Sequence, residues 1–390
     1  MEAITKEKQQ VCNTLKNKKC RKLAKVFSIL TACIIVFLTF FTITWFVGSS
    51  RILNYISKVN ITASATENVV ISKDTTNQTV SIDNKTGRDL KILQLTDIHF
   101  ACSVFTLSLD KKVVDQVVKC VNKTNPDIIV VSGDALSPIW ITSVTRNSKN
   151  QLDAFISLFE KIGIPYTFCF GNHDPTGTLS KEYISKKIEE APTSFYIRGD
   201  KNVKGEGNHS VKIYNNGTLS SSLILMDSGG RDGTGYEGVS ASQVSWYEQE
   251  ILKLKTEKSD IKNILFMHVP TPEYSSFYMA AKKGNSNFEI TMGSQGEAVC
   301  NGKQHGLYEK MAELDCTKWV YVGHDHKNNY SVLDKTTSIT LSYGMSMDYT
   351  AYPTLKFTTK YRGGRVILLS ETGNVESYLA AQDNNYERKI

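Results

Sequence analysis

The spacing of apolar residues divides the chain into three parts. Val26–Gly48 contains no charged residue, is dominated by Ile, Val, Leu and Phe, and its 23 residues would span ~30 Å of hydrocarbon as a helix. Residues 49 to about 88 are rich in Ser, Thr, Asn and Lys without sustained periodicity, which is typical of an exposed segment. From Lys91 onward, apolar strand-like runs alternate with segments of helical spacing.

The alternating part predicts an α/β fold. Strands are expected at Lys91–Thr96, Asp127–Ser132 and Pro165–Phe170, with helices over 107–121, Asn150–Ile162 and Ser180–Glu190. This βαβαβ order favours a mostly parallel sheet. Later strands are expected at His209–Tyr214, Leu223–Asp227, Asn263–Met267, Trp319–Val322, Ser338–Ser342 and Arg365–Leu369, with helices at Ala241–Lys255 and Leu307–Leu314. So many strands predict two packed mixed β-sheets flanked by helices, a four-layer α/β/β/α sandwich preceded by one N-terminal transmembrane helix.

The same pattern predicts the domain organisation. We expect a basic cytoplasmic tail at residues 1–25, a transmembrane signal anchor at 26–48 and a stem or linker at 49–88, with a short edge strand at Thr79–Ile82. One folded domain is expected at 89–380, followed by a C-terminal tail at 381–390.

Charge supports this organisation. The first 25 residues carry eight Lys or Arg and two Glu, so nearly all of the net charge of +7 lies in this segment. The rest of the chain is close to neutral. A local basic tail does not favour nucleic-acid binding. Beside an apolar span, it predicts a single-pass type II membrane protein whose domain is lumenal or extracellular. A cleaved signal peptide ending near Gly48 and Ser50 is the alternative, although its apolar core would exceed the usual length of roughly 7 to 15 residues.

Glycosylation sequons agree with translocation. Every Asn-X-Ser/Thr sequon lies after the apolar span: Asn60, Asn77, Asn84, Asn122, Asn208, Asn216 and Asn329. The sequence therefore predicts a glycoprotein of the secretory route or the cell surface.

Five of the seven histidines fall at the ends of apolar stretches, and four of them stand beside other metal-binding residue types. The blocks are Asp97-Ile98-His99, Gly133-Asp134, Gly171-Asn172-His173-Asp174, the isolated His268, and Gly323-His324-Asp325-His326. Extended geometry points residues i and i+2 to the same face, so Asp97 and His99 can reach one ion, and the strand end of His324 and His326 can serve a shared centre. Carboxylate and imidazole ligands without thiolate suit Fe, Mn, Zn or Ni. A lone His in an apolar setting is more often a core residue, so the prediction depends on the ordered conjunction of all the blocks.

Competing hydrolytic mechanisms lack their motifs. The chain has no Gly-X-Ser-X-Gly nucleophile elbow and no P-loop. His209 and His305 lie outside the blocks and are expected to be structural or surface residues.

The ordered blocks resemble those of the calcineurin-like metallophosphoesterase superfamily over about residues 90 to 370. The likeness is closest to the purple-acid-phosphatase-related branch. Three stretches carry this closer likeness: Leu225–Gly229, Met267–Pro270 continuing to Pro272–Tyr274, and Gly323–Asn328.

The resemblance implies a site with two metal ions and a role for each residue. One ion would be held by Asp97, His99, Asp134 and His326, and the second by Asp134, Asn172, His268 and His324, with Asp134 as the bridge. His173 would be the general acid, and Asp174 would orient its ring or solvate the turn.

The resemblance also implies an activity. The expected function is hydrolysis of phosphomonoesters, on a small molecule or a protein, by a metal-activated water. A phosphodiesterase acting on nucleotides or phospholipid head groups, or a catalytically silent binding protein, are the alternatives.

Two departures from the family patterns refine this expectation. Ser137 stands where purple enzymes place their coloured tyrosinate, and His99 occupies a ligand position that those enzymes lack, so a colourless site is expected. The acidic-Arg pair that many protein phosphatases carry after the bridging Asp is absent, which disfavours a protein phosphatase.

Overall fold

The computed structural model of the chain describes residues 1–137, 148–351 and 359–387. The chain forms two compact units, Met1–Val47 and Gly48–Ile390. Helix α1 (Glu2–Lys58) contains an apolar stretch long enough to cross a membrane. The predicted signal anchor at residues 26–48 lies within α1, and its membrane topology stays a prediction.

A five-stranded mixed sheet carries the first three polar blocks. Its strands in spatial order are β16 (Val375–Ala381), β15 (Gly363–Leu369), β3 (Leu90–Leu95), β4 (Ile128–Ser132) and β5 (Tyr166–Cys169). β3, β4 and β5 are parallel, and helices α2 (Leu107–Thr124) and α3 (Ser148–Ile162) make the crossovers that parallel pairing requires. Every residue of β4 is buried, because helices cover one face and the second sheet covers the other. The predicted βαβαβ unit is confirmed.

A nine-stranded mixed sheet carries the remaining blocks. Its strands in spatial order are β1 (Val69–Asp74), β2 (Thr79–Asn84), β6 (His209–Asn215), β7 (Thr218–Leu225), β10 (Lys262–Phe266), β12 (Thr317–Val322), β14 (Ile339–Tyr343), β13 (Ser331–Asp334) and β11 (Phe288–Met292). The central strands β7, β10, β12 and β14 are parallel, and the strands at the β11 end are antiparallel. A small hairpin pairs β8 (Arg231–Asp232) with β9 (Gly235–Tyr236).

The two large sheets pack face to face with helices outside. Ile92 and Val130 of the smaller sheet share one apolar core with Ile264 and Phe266 of the larger sheet. Helices α2, α3 and α4 (Lys181–Glu189) bury their apolar faces on the smaller sheet. Helices α5 (Ala241–Glu257), α6 (Glu273–Lys282) and α7 (Leu307–Leu314) cover the larger sheet. The predicted four-layer α/β/β/α architecture is confirmed.

The expectation of an exposed stem at residues 49–88 is wrong for much of that segment. Ile52 and Ile56 of α1 are buried in the core beneath the smaller sheet. β2 pairs with β6 and is covered in turn by β1, so the predicted edge strand lies inside the sheet. The segment looked unstructured because only alternate residues of these strands, such as Val80 and Ile82, face the core. The other domain boundaries stay predictions, and residues 388–390 of the expected C-terminal tail lie outside the described residues.

Seven of the described strands and α-helices had no expected counterpart in the pattern: β1, β8, β9, β11, β13, β16 and α6. β11 and β16 bury only part of their side chains, and β13 has four residues. α6 buries Tyr274 and Tyr278, four residues apart, and little else. Short or weakly buried elements give little periodicity to detect.

Candidate metal centre

Five loops meet where strands of both sheets end. Asp97 follows β3, Asp134 follows β4 and Asn172 follows β5, all in the smaller sheet, whereas His268 follows β10 and His324 follows β12 in the larger sheet. Carboxyl ends of parallel strands are where open α/β sheets place ligands. Here the face-to-face packing brings two such edges together.

Asp97, His99 and His326 form a first cluster, and all three are buried. The Nε2 atoms of His99 and His326 lie 3.2 Å apart, and Asp97 Oδ1 lies 3.2 Å from His326 Nε2. At most one hydrogen can lie between two imidazole nitrogens that face each other, whereas one cation accepts both lone pairs. The first cluster therefore fits a metal ion.

Asp134, His268 and His324 form a second buried cluster, whose ligand atoms lie within 4.8 Å of one another. Asp134 Oδ2 is 3.2 Å from His268 Nε2 in this cluster and 3.5 Å from His99 Nε2 in the first. One carboxylate thus faces both clusters.

Two polar atoms support the fit of a cation. Within the described residues, the buried atoms Asn172 Oδ1 and His268 Nε2 have no hydrogen-bond partner. His268 Nδ1 lies 2.8 Å from the carbonyl oxygen of Ser132, which only accepts, so Nδ1 donates and Nε2 remains directed at Asp134. Asn172 Oδ1 is a buried acceptor without a partner, which is costly, and a metal ion is a partner that this oxygen and a deprotonated His268 Nε2 suit.

The protonation of the second cluster is set by burial and by its neighbours. Burial raises the pKa of the Asp134 carboxyl, but the imidazoles of His268 and His173 outweigh burial and hold that pKa below its usual range. Burial lowers the pKa of the His268 imidazole, yet the carboxylates of Asp134 and Asp97 raise it overall to about 9. Burial lowers the pKa of His324 to about 3. A cation that binds here would therefore displace a proton from His268 but none from His324.

The chain adopts the left-handed region at four residues of the two clusters. The φ angles are +54° at Asp97, +53° at His99, +52° at Asp134 and +80° at His324. Such conformations cost of the order of 1–3 kcal/mol each for residues other than glycine, and they concentrate at functional sites. The hydrogen bonds from Asp97 N to Gly133 O and from His99 N to Asp134 O hold the first two loops in this form.

His173 lies beside the clusters. Its backbone N–H donates to Asp134 Oδ1 at 2.8 Å, and its ring meets the His99 ring edge-on with centroids 5.2 Å apart. Burial lowers the pKa of the His173 imidazole to about 4. The side chain is partly exposed, so it lies on the solvent side of the buried ligands.

Asp174 is fully buried and ties two loops together. Its Oδ2 accepts from Gly171 N and Asp134 N, and its Oδ1 accepts from Leu136 N. Burial and the nearby Asp134 carboxylate raise the pKa of Asp174 to about 7. Both oxygens bind backbone amides, including that of Gly171 in the same turn, and the choice between orienting the His173 ring and solvating the turn stays a prediction.

Sequence reasoning missed several residues around the clusters. Asp348 Oδ2 lies 3.2 Å from His326 Nδ1, and Ser228 Oγ accepts from the backbone N–H of His268. Tyr236 of β9 packs its ring edge-on against His324, with centroids 4.4 Å apart. Ser228 lies in a stretch noted above for its family likeness. The same likeness suggests residues 343–349 as a lip of the site, but no motif or spacing gives Asp348 or Tyr236 a role beside the histidines.

The two remaining histidines lie apart from the clusters. His209 is buried between Thr167 Oγ1 and the carbonyl oxygen of Gly207, and His305 is exposed. Their expected structural and surface placement is confirmed.

Comparison with known proteins gives one family match and several distant relatives. The family model described as calcineurin-like phosphoesterase matches residues 90–328. The chain is 28% identical over 317 residues to "Probable inactive purple acid phosphatase 14" of Arabidopsis thaliana, which covers 72% of this chain and 75% of that protein. It is 26% identical over 283 residues to "Phosphatase DCR2" of Saccharomyces cerevisiae, covering 65% of this chain and 47% of that protein.

Likeness to solved structures is weaker. A putative 5'-nucleotidase from Staphylococcus aureus aligns with a TM-score of 0.43 and 9% identity, covering 74% of this chain and 52% of that one. Similarity at this level carries no functional argument. The family match spans most of the sandwich and every polar block, and the plant relative carries the purple acid phosphatase name. The chain therefore belongs to the calcineurin-like phosphoesterase family, in the branch related to purple acid phosphatases.

Proposed function

We propose that the protein is a membrane-anchored, metal-dependent phosphatase that hydrolyses phosphomonoesters. The observation that carries the proposal is the pair of buried donor clusters that share the Asp134 carboxylate. Burying so many titratable groups together is costly unless they are paired or bind metal. The protein's family membership makes phosphoester hydrolysis the chemistry that this donor set would serve.

The arrangement supports a specific assignment of ligands. One ion would be held by Asp97, His99, Asp134 and His326, and the other by Asp134, Asn172, His268 and His324. When bound, two such cations supply Lewis-acid polarisation of the phosphoryl oxygens and an activated water.

The chain's own side chains would handle the leaving group. His173 stands at the solvent side of the clusters and would donate a proton to the departing oxygen. Asp174 would hold the loop of Asp134 against the loop of His173 through its three backbone hydrogen bonds.

A catalytically silent binding protein is the second candidate, because the name of the plant relative describes it as probably inactive. The yeast relative is named a phosphatase. In this chain, six of the seven proposed ligands form the two buried clusters, and the buried Oδ1 of Asn172 has no hydrogen-bond partner. Activity is therefore the outcome that the site supports.

Membrane anchoring is proposed from the sequence of α1. A basic segment precedes its uncharged apolar stretch, which favours a cytosolic N-terminus and a translocated catalytic unit.

The experiment is a substrate and metal comparison on purified full-length protein. The wild type should contain transition metal and hydrolyse an aryl phosphomonoester faster than the matching diester. Asp134→Asn and His268→Ala should each reduce kcat/KM by more than ~100-fold, since even outer partners of metal ligands are worth about 10- to 100-fold. His305→Ala, at an exposed histidine outside the clusters, is the control and should change nothing.

The alternatives predict different results. Faster diester cleavage would favour a phosphodiesterase. Bound metal without hydrolysis of any ester would favour the silent binding protein. Full activity in Asp134→Asn would contradict the proposed site.

A further inference from the structure

The segment 347–351, which follows β14, contacts both histidines of the first cluster, the ring of His326 and the backbone of His99. Asp348 is fully buried, and its Oδ2 lies 3.2 Å from His326 Nδ1. The Thr350 hydroxyl donates to the carbonyl oxygen of His99 at 2.5 Å, and Met347 N donates to Thr96 O. We call residues 347–351 the brace, since they join the loop of His99 to that of His326.

The Asp348 carboxylate is held in a fixed orientation. Its Oδ1 accepts from Thr350 N at 2.5 Å and from Ala351 N at 2.7 Å. Arg362 Nε donates to the Asp348 carbonyl oxygen at 2.8 Å. With Oδ1 bound to two amides, only Oδ2 is directed at the imidazole.

This contact determines which nitrogen of His326 carries hydrogen. A carboxylate accepts hydrogen bonds, so Nδ1 facing Oδ2 must be the donor. Nε2, which faces Asp97 and His99, is then the nitrogen left to ligate an ion, once that ion has displaced the proton that the Asp97 carboxylate attracts there. Carboxylate partners of this kind fix the tautomer of a ligating histidine and raise its basicity.

The two clusters differ in this respect. In the second cluster, His268 Nδ1 faces the neutral carbonyl oxygen of Ser132, whereas in the first cluster His326 Nδ1 faces a carboxylate. The anionic partner therefore acts on one of the two sites and not on the other.

We propose that Asp348 is a positioning residue for the metal ion of the first cluster, which it favours by holding His326 in the tautomer and orientation that ligation requires. The inference rests on the proposed metal binding.

The inference predicts what the near-isosteric substitution Asp348→Asn would do to the His326 tautomer. In Asp348→Asn, an amide whose oxygen stays on Thr350 N and Ala351 N turns its NH2 group toward His326. Nδ1 must then accept, which moves the hydrogen to Nε2 and blocks the ligand atom.

The test measures metal binding rather than turnover. Full-length protein stripped of metal is titrated with Zn²⁺ alone, with free Zn²⁺ set by a chelator. The wild type should bind two ions, and Asp348→Asn should weaken one of the two steps by about 10- to 100-fold while the other step changes little.

Asp334→Asn is the matched control. Asp334 is also a buried aspartate, which accepts from the Tyr308 hydroxyl at 2.7 Å and from Thr336 N at 2.8 Å, outside the brace and both clusters. The thermal unfolding midpoint of the Asp334→Asn protein should fall, but both of its Zn²⁺ affinities should equal those of the wild type. Equal losses of affinity in the two variants would show a general effect of a damaged core and overturn the inference.

A double-mutant cycle separates a positioning role from a local structural role. If Asp348 acts through His326, then Asp348→Asn should cause no further loss of Zn²⁺ affinity in a His326→Ala background. Independent, additive losses would overturn the inference. Wild-type protein that binds no ion would contradict the proposed function as well, whereas two ions bound with unchanged affinity in Asp348→Asn would contradict the inference alone.

Discussion

At the scale of single residues, the site depends on which atom of each side chain faces inward. His268 directs Nε2 at Asp134 because its Nδ1 is taken by a carbonyl oxygen, and His326 directs Nε2 at Asp97 because its Nδ1 faces Asp348. Asp97 and Asp134 reach their places through left-handed backbone conformations. The inward-facing nitrogen of each histidine is therefore determined by the groups packed around it, and the residue type alone does not determine it.

His173 should matter most for substrates with poor leaving groups. Burial lowers the pKa of this imidazole to about 4, and an anion such as a phosphate bound beside the ring would raise that pKa. We expect His173→Asn to reduce kcat on an alkyl phosphate by about 10²- to 10⁴-fold, and by much less on a nitrophenyl phosphate, whose leaving group needs no proton.

The control for this measurement is His209→Asn. His209 is also buried, and burial likewise lowers its pKa to about 4, but it lies away from the clusters. It should lose stability without any dependence on the leaving group. An equal loss on both substrates in His173→Asn would argue against general acid catalysis.

The residue types of the site could be predicted from sequence, whereas their partners could not. Asp97, Asp134 and His324 stand directly after apolar strands in a recognisable order, which local reasoning detects. Asp348 lies 22 positions after its partner His326, and only the return of the chain after β14 brings the two together. Contacts between sequence-distant residues leave no local periodicity.

At the scale of elements, glycines set how closely the site loops approach. A Cβ on Gly171 would overlap the Asp134 carboxylate, and a Cβ on Gly323 would overlap Thr96 Oγ1 and lie 2.8 Å from Asp97 Oδ2. Gly171 follows a strand of the smaller sheet and Gly323 follows a strand of the larger sheet. In both sheets, therefore, a glycine without a side chain allows a neighbouring site loop to approach closely.

Gly171→Ala and Gly323→Ala should damage the centre directly. Each added methyl group must displace a cluster carboxylate or its loop, and overpacking of this kind costs about 1–3 kcal/mol of unfolding free energy. We expect a lower denaturation midpoint together with weakened Zn²⁺ binding. Gly235→Ala is the control, because its nearest neighbour would be Asp232 O at 3.9 Å. Normal Zn²⁺ binding in Gly171→Ala would show that the loop has room to relax.

Elements with weak patterns show the limit of the sequence at this scale. β1 and β2 extend the larger sheet from a segment whose composition predicts exposure, because half of each strand faces solvent. β4, in contrast, is buried on both faces and was detected as a continuous apolar run.

At the scale of the whole molecule, the glycosylation sequons differ in accessibility. Asn77 and Asn216 are exposed in the turns between β1 and β2 and between β6 and β7. Asn84 and Asn208 are buried, and their Nδ2 atoms donate to the carbonyl oxygens of Arg88 and Lys204. A glycan is attached at Nδ2, so the folded unit can display one at the exposed pair but not at the buried pair.

If residues 49–390 are translocated, expression with microsomes should give glycosidase-sensitive protein. Thr79→Val and Thr218→Val destroy the sequons of Asn77 and Asn216 without changing either asparagine, and each should remove one glycan. Thr86→Val, which destroys the buried Asn84 sequon, is the control and should leave the glycan count unchanged. A wild-type protein without glycans and open to added protease would contradict the lumenal topology.

The sequence by itself determined the fold class, the family and the types of residue at the site, because periodicity and strand-end motifs are local properties. It also determined a basic segment followed by an uncharged apolar stretch. Only the tertiary structure decided that two sheets contribute to one centre, that β1 and β2 belong to the larger sheet, and that Asp348 faces His326. Those facts follow from how buried faces pack against one another, and packing joins residues far apart in the chain.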